Sequence, residues 1–273
     1  MVVNNILETN SLKGVCSLSS RKNDIHNLLD VEKYITDINE FMQNSEDIYS
    51  LVLDNGEQLG NWLFSEEELT PEEYDLKVSV LEVLTKNNDY SDDCSDKIIN
   101  VSLGEFEGCV SDKCGYVEIR RSYLNSAKNV SEYFEFMWTC FTDCVFAEDV
   151  LNEMKNIKDF SLCKETITQN LSVLNDEAMD LYKSNKNDLS KAVKELSAKL
   201  LECSLDPNHR KKLVFRFKYE DEDKREREKY ITCEPHLKLI RKDSNLRIYF
   251  NWCDEDVGKG EKVLIGRIGS HPY

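Results

Sequence analysis

Of 273 residues, 40% are hydrophobic and 10% aromatic, with 10 Gly and 4 Pro, which is enough to fill a packed core and unlike a disordered chain. Lys and Arg number 35 against 52 Asp and Glu, a net charge of −17, and a field of that sign repels nucleic acid and anionic membranes. No run approaches the roughly 18 apolar residues of a spanning helix, and MVVNNILETNSLKG lacks a basic start followed by an apolar stretch, so the expectation is a cytoplasmic protein with no membrane partner and no export signal.

The charge is unevenly divided. Residues 207–273 hold 16 Lys/Arg and 12 Asp/Glu, a net +4, leaving 19 and 40, a net −21, in residues 1–206. Opposite signs in two segments can mark a unit that meets an anionic partner while the remainder solubilises or covers it. An acidic surface with no such role is equally open.

In chain order, Leu28, Val31, Ile35, Ile38 and Met42 recur at three- and four-residue intervals, which predicts an amphipathic helix over 24–42, capped by Asp24. Ile48 to Phe64 reads as a small hairpin about Asp54-Asn55-Gly56, since Asn-Gly supplies positive φ. Thr70-Pro71-Glu72-Glu73 is a helix start with a capping box, and Leu76, Val80, Val83 and Leu84 form the apolar face behind it. Asn87 to Asp96 reads as an acidic loop, and Ile98–Leu103 and Tyr116–Ile119 as strands. The apolar run Val130 to Phe160 predicts a buried helix, followed by helices at 163–183 and 186–202, the second with Leu189, Val193, Leu196 and Leu200 on one face. Asp206-Pro207-Asn208 stops the helix.

Beyond that stop the texture is β. Leu213, Phe215 and Phe217 alternate with Val214, Arg216 and Lys218, the pattern of a strand with one buried face. The charged run 220–229 reads as a hairpin loop or exposed strand ends. Tyr230–Ile240, Leu246–Trp252 and Lys262–Ile268 are three further strands. The predicted fold class is therefore α+β: an acidic, mainly helical region over 1–206 with some strands, and a C-terminal antiparallel sheet over 207–273, against which the helices of 163–202 can pack.

The 10 cysteines in an acidic chain of this size read as reduced thiols rather than a disulfide framework. The close pairs Cys109/Cys114 and Cys140/Cys144 lack two-residue knuckle spacing and a nearby histidine. Cys140 and Cys144 would share one helix face as small hydrophobes. GxGxxG, Walker, HExxH and GxSxG motifs are missing, so neither a metal nor another cofactor is expected.

Chemistry-bearing residues concentrate in the tail. Three of the four histidines, His209, His236 and His271, lie there, alongside the strings Cys233-Glu234-Pro235-His236-Leu237-Lys238-Leu239, Arg247-Ile248-Tyr249-Phe250 and Gly266-Arg267-Ile268-Gly269-Ser270-His271-Pro272-Tyr273. Convergent Glu, Arg, His and Tyr would suit RNA cleavage by 2′-hydroxyl attack. A carboxylate or imidazole takes the proton, a fixed arginine stabilises the phosphorane-like transition state, and an acid protonates the leaving 5′-oxygen. Plain structural roles are also open: a cross-strand ion pair between Glu234 and Arg247, a local hydrogen bond for His236, and a frayed His271.

Over about residues 186–273 these strings resemble the RelE/YoeB-type toxins, small mRNA endoribonucleases. The resemblance implies Glu234, Arg247, His271 and Tyr273 as catalytic residues and an RNA or ribosome partner in a toxin or defence setting. His236, Lys238 and Arg267 would bind substrate. The sequence departs from the pattern in the extra His236, in Pro272 between His271 and Tyr273, and in the length of the 220–229 insertion. The rival expectation is an interaction module whose acidic region binds a basic protein or mimics nucleic acid.

Overall fold

The computed structural model describes residues 1–44, 47–65, 68–86, 88–89, 97–186, 188–199, 202–239 and 245–272, and the chain divides into two compact units, 1–123 and 124–273. Both mix helix and sheet.

The first unit runs β1 (Val3–Leu7), α1 (Leu18–Asp37), β2 (Met42–Asn44), α2 (Leu59–Leu63), α3 (Pro71–Lys86), β3 (Asn88–Asp89), β4 (Lys97–Val101) and α4 (Lys113–Leu124). The strands stand in the order β3-β2-β1-β4 and all pair in parallel. Parallel neighbours cannot be joined by a tight turn, so helices fill the connections: α1 leads from β1 to β2, and α2 and α3 from β2 to β3. The region is thus built on a parallel sheet that the helical expectation for 1–206 did not contain.

Its interior is partly polar. Tyr116 donates to Asn5 Oδ1 at 2.7 Å, and Arg120, fully buried, donates from Nη1 and Nη2 to Glu40 at 2.7 and 2.8 Å. Burial raises the Tyr116 phenol well above its ordinary range. Tyr116 belongs to α4, which corrects the strand expected at 116–119: Tyr116, Val117, Arg120, Arg121 and Leu124 turn inward with helical spacing.

Several other expectations shift. The helix of 24–42 begins at Leu18 and ends at Asp37, and Met42 lies on β2. The Asp54-Asn55-Gly56 turn forms, with Gly56 at φ 85° and an antiparallel bridge from Val52 to Gln58, but 3-10 helix (Ile48–Ser50) and α2 flank it in place of strands. The capping box is present: Thr70 donates from N and Oγ1 to Glu73 Oε2 at 2.8 and 2.9 Å. Most of the acidic loop expected at 87–96, and Leu200, lie outside the described residues.

The second unit runs α5 (Val130–Met137), β5 (Cys144–Phe146), α6 (Val150–Lys155), α7 (Phe160–Asp176), α8 (Ala178–Ser184), α9 (Leu189–Lys199), β6 (Cys203–Ser204), β7 (Val214–Glu220), β8 (Glu226–Thr232), β9 (His236–Lys238), β10 (Leu246–Asn251) and β11 (Val263–Ser270). The continuous helix expected over 130–160 is therefore α5, β5 and α6, and Cys144 sits on a strand while Cys140 lies outside it. The run is apolar because β5 enters the sheet beside β11 while α5 packs on α6 and α6 on β11.

The main sheet has the order β5-β11-β10-β9-β6. β5 pairs with β11 in parallel and the remaining neighbours are antiparallel. β7 and β8 form a separate ribbon, with Leu213 and Phe217 buried as the alternation predicted. The ribbon approaches the sheet at Gly266, where an added Cβ would meet the Phe215 ring at 2.4 Å and Cys233 Sγ at 2.7 Å. Because β5 completes the sheet, the boundary expected at 206/207 falls inside this unit.

Candidate functional site: one polar face of the second sheet

Register sorts the sheet into two faces, because cross-strand partners project to the same side. One row is Cys203–Leu237–Ile248–Ile268, all buried and apolar. The opposite face carries Ser204–His236–Tyr249–Arg267 in one row and Lys238–Arg247–Gly269 in the next. β6 holds its place at the sheet edge through Ser197 of α9, whose Oγ donates to Cys203 O at 2.9 Å and accepts from Cys203 N at 3.0 Å. His271 continues the row beyond β11, its backbone N–H donating to Asn245 O at 3.0 Å, so its main chain is tied down rather than frayed.

Three rings meet on this face. His236 stands 5.0 Å from Tyr249 and 6.0 Å from His271 between ring centroids, and Tyr249 lies 6.0 Å from His271. The Tyr249 hydroxyl meets His271 Nδ1 at 2.5 Å. Burial pushes the Tyr249 phenol up to about 12, so it keeps its proton near neutrality. We assign the shared proton to the phenol, which leaves the neutral His271 protonated at Nε2.

The His236 tautomer follows from its partners. Nδ1 faces the Glu234 carbonyl at 3.5 Å, a long contact, and Nε2 faces Ser204 Oγ at 3.0 Å. A carbonyl can only accept, so Nδ1 carries the proton and Nε2 accepts from the serine hydroxyl. Burial, followed by the positive charge of Arg247 and by His271, holds His236 below the usual histidine range, against the opposing pull of the Glu234 carbonyl. His271 is also lowered, first by burial and then by Arg247.

The charged residues have local partners. Arg210 Nε pairs with Glu234 Oε2 at 2.8 Å, Arg267 Nη2 with Glu153 Oε2 at 2.7 Å, and Lys238 with Glu202. Glu234 is therefore engaged by Arg210, and Arg247 faces Lys238 and Gly269 in the register. Arg247 is buried, with Nη1 donating to the Leu246 carbonyl at 2.8 Å. His209 Nδ1 meets Asp206 Oδ1 at 2.8 Å, and both groups act electrostatically on His271.

Of the residues singled out in the sequence, His236, Lys238, Arg247, Arg267 and His271 share this face. Glu234 stands beside it through its carbonyl, and Tyr273 lies outside the described residues. Sequence reasoning passed over Ser204, Tyr249, Asp206 and His209 as site residues. Tyr249 was within reach, because strand alternation puts it on the same side as Arg247. Ser204 sits on a two-residue strand, too short to have a period.

Among the described residues no group of His, Cys, Asp or Glu is arranged to hold a metal ion, and no helix is long and apolar enough to cross a membrane. Comparison with protein-family models, with curated proteins and with solved structures finds no match to this chain.

Proposed function

We propose that the second unit is a metal-independent endoribonuclease that cleaves RNA by attack of the 2′-hydroxyl on the adjacent phosphate. The observation that carries this reading is the pair of imidazoles, His236 and His271, 6.0 Å apart on one sheet face and both under the field of Arg247. Two proton-transfer groups at that separation suit the entering and leaving oxygens of an in-line displacement, and a guanidinium whose charge reaches both suits the charge that gathers on phosphorus. The resemblance to RelE/YoeB-type toxins points the same way.

His236 serves as base and His271 as acid. The deeper imidazole is the one more strongly held neutral by burial, and the base must be neutral when the acid is charged. The imidazole replaces Glu234 as base, because that carboxylate is engaged by Arg210. Substrate enters from the half-exposed edge formed by Ser204, His209 and His271. Incubation with single-stranded RNA should yield 2′,3′-cyclic phosphate ends, unaffected by EDTA and reduced by about 100-fold or more in His236→Gln or His271→Gln. Uncut RNA and uncut mRNA on translating ribosomes would remove the proposal.

A second reading has its own support. The basic side chains Arg210, Lys238 and Arg267 already hold carboxylates, which leaves less positive charge for RNA and suits a scaffold beside an acidic, partner-binding region. Capture of a basic protein, insensitive to substitutions at Glu234, Arg247 and His271, would favour it.

A further inference from the structure

We propose that Ser204 is a nucleophile, with His236 as its general base and the Glu234 carbonyl as the group that orients the base, and that the site can react covalently with phosphate esters. This goes beyond the 2′-hydroxyl route, since the attacking oxygen then belongs to the protein.

The arrangement has the parts that nucleophile activation needs: a hydroxyl within hydrogen-bond reach of a basic nitrogen, and a third group fixing the base. Ser204 Oγ lies 3.0 Å from His236 Nε2, and Nδ1 on the far side of the ring faces the Glu234 carbonyl at 3.5 Å. That carbonyl is itself positioned, because Phe250 N donates to Pro235 O at 2.9 Å and Cys233 N to Leu213 O at 2.8 Å, pinning the chain on both sides of Glu234. Ser197 fixes the nucleophile's strand through both backbone groups of Cys203. His236 is buried whereas Ser204 is half-exposed on the edge strand, so the base is shielded from water while the hydroxyl can be reached. Arg247, close enough for its charge to act on His236, suits the polarised phosphoryl oxygen of a phosphorus ester.

The proposed steps balance. Ser204 Oγ bonds to phosphorus of a phosphodiester as the bond to the leaving alcohol breaks. The serine proton passes to His236 Nε2, and protonated His271 supplies the proton of the alcohol. Water, giving its proton back to His271, then attacks the phosphoserine, and Oγ departs with the proton held by His236. The sum is hydrolysis with no added oxidant or reductant. A substrate attacked in this way needs no 2′-hydroxyl.

The test is a fluorophosphonate alkyl ester, whose phosphorus takes Oγ as fluoride leaves, followed by intact-mass measurement and peptide mapping. Wild type should acquire one adduct, on Ser204. Ser204→Ala should acquire none there, and His236→Gln should label at least about 100-fold more slowly while keeping its circular dichroism and melting profile. No adduct on Ser204, or equal labelling of folded His236→Gln, overturns the proposal. Wild-type RNA cleavage is assayed alongside. Labelling without RNA cleavage supports the serine and removes the ribonuclease, whereas cleavage to cyclic phosphate without labelling does the reverse.

Discussion

The Tyr249 hydroxyl and His271 Nδ1 lie 2.5 Å apart, and this contact sets which nitrogen of His271 carries the proton. Tyr249 is fully buried and pairs across the sheet with His236 and Arg267. One phenol therefore touches both imidazoles of the proposed site.

Replacing Tyr249 with Phe removes this donor and keeps the ring. The second unit should lose about 1 kcal/mol of stability, and nitrogen NMR should record a smaller share of the Nε2-protonated form of His271. A larger share of the Nε2-protonated form would assign the shared proton to the imidazole instead, since Phe would then have removed the acceptor of an Nδ1–H.

Acidity should weaken the second unit. Both imidazoles are held below their ordinary value, so the unfolded chain takes up protons first as pH falls through about 6.5. Stability is retained above that pH and declines below it, until the folded forms also protonate. Urea titrations at pH 7.5 and pH 5 should differ in this direction, with a smaller difference in His236→Gln. Equal midpoints would contradict the burial argument.

Cleavage, if it follows the two-imidazole route, should peak on the acidic side of about 6.5. His271 must be charged and His236 neutral, and both titrate below that value. His209, Asp206, Arg247 and Arg267 also face His271 electrostatically, so Arg247→Ala should move the descending limb upward as well as slow the reaction. A rate still rising at pH 8 would exclude His271 as the acid.

Gly266→Ala should destabilise the second unit by about 1–3 kcal/mol or more. Its Cβ would fall 2.4 Å from Phe215 and 2.7 Å from Cys233 Sγ, with Cys233 fully buried. Neither neighbour can yield without shifting the ribbon. Denaturation midpoints measure the loss, and Phe215→Ala in the same chain should recover part of it.

In the first unit, Glu40→Ala should cost about 3–5 kcal/mol, because it leaves the buried Arg120 guanidinium without its carboxylate. Arg120→Met should cost less, since it removes the charge along with the pair. The reverse order in urea denaturation would show that packing around Arg120, rather than charge, dominates.

The elements legible in the sequence are those with a local cause. The capping box of α3 lies within four residues, Thr70 to Glu73, and β7, β10 and β11 appear as alternation or apolar strings. β1 and β5 were missed for the opposite reason. VNNIL places Asn5 in the interior, where Tyr116 of α4 satisfies it, and no local pattern announces such a distant partner. β5 is three residues whose neighbour, β11, follows more than a hundred residues later, so its apolar run resembles a buried helix. At the site, Arg247, His236 and His271 stood out by residue type. Ser204 did not, because only pairing with β9 brings it to an imidazole.

The parallel pairing of β5 with β11 also imposes an order on biosynthesis. A ribosome makes residues 144–146 well before residues 263–270, and β11 separates β5 from β10 in the sheet. The early strand must wait with an unfilled edge while the intervening helices emerge, a species open to mispairing with other chains. Maturation of this half is therefore a late event, sensitive to whatever holds that edge in the interval.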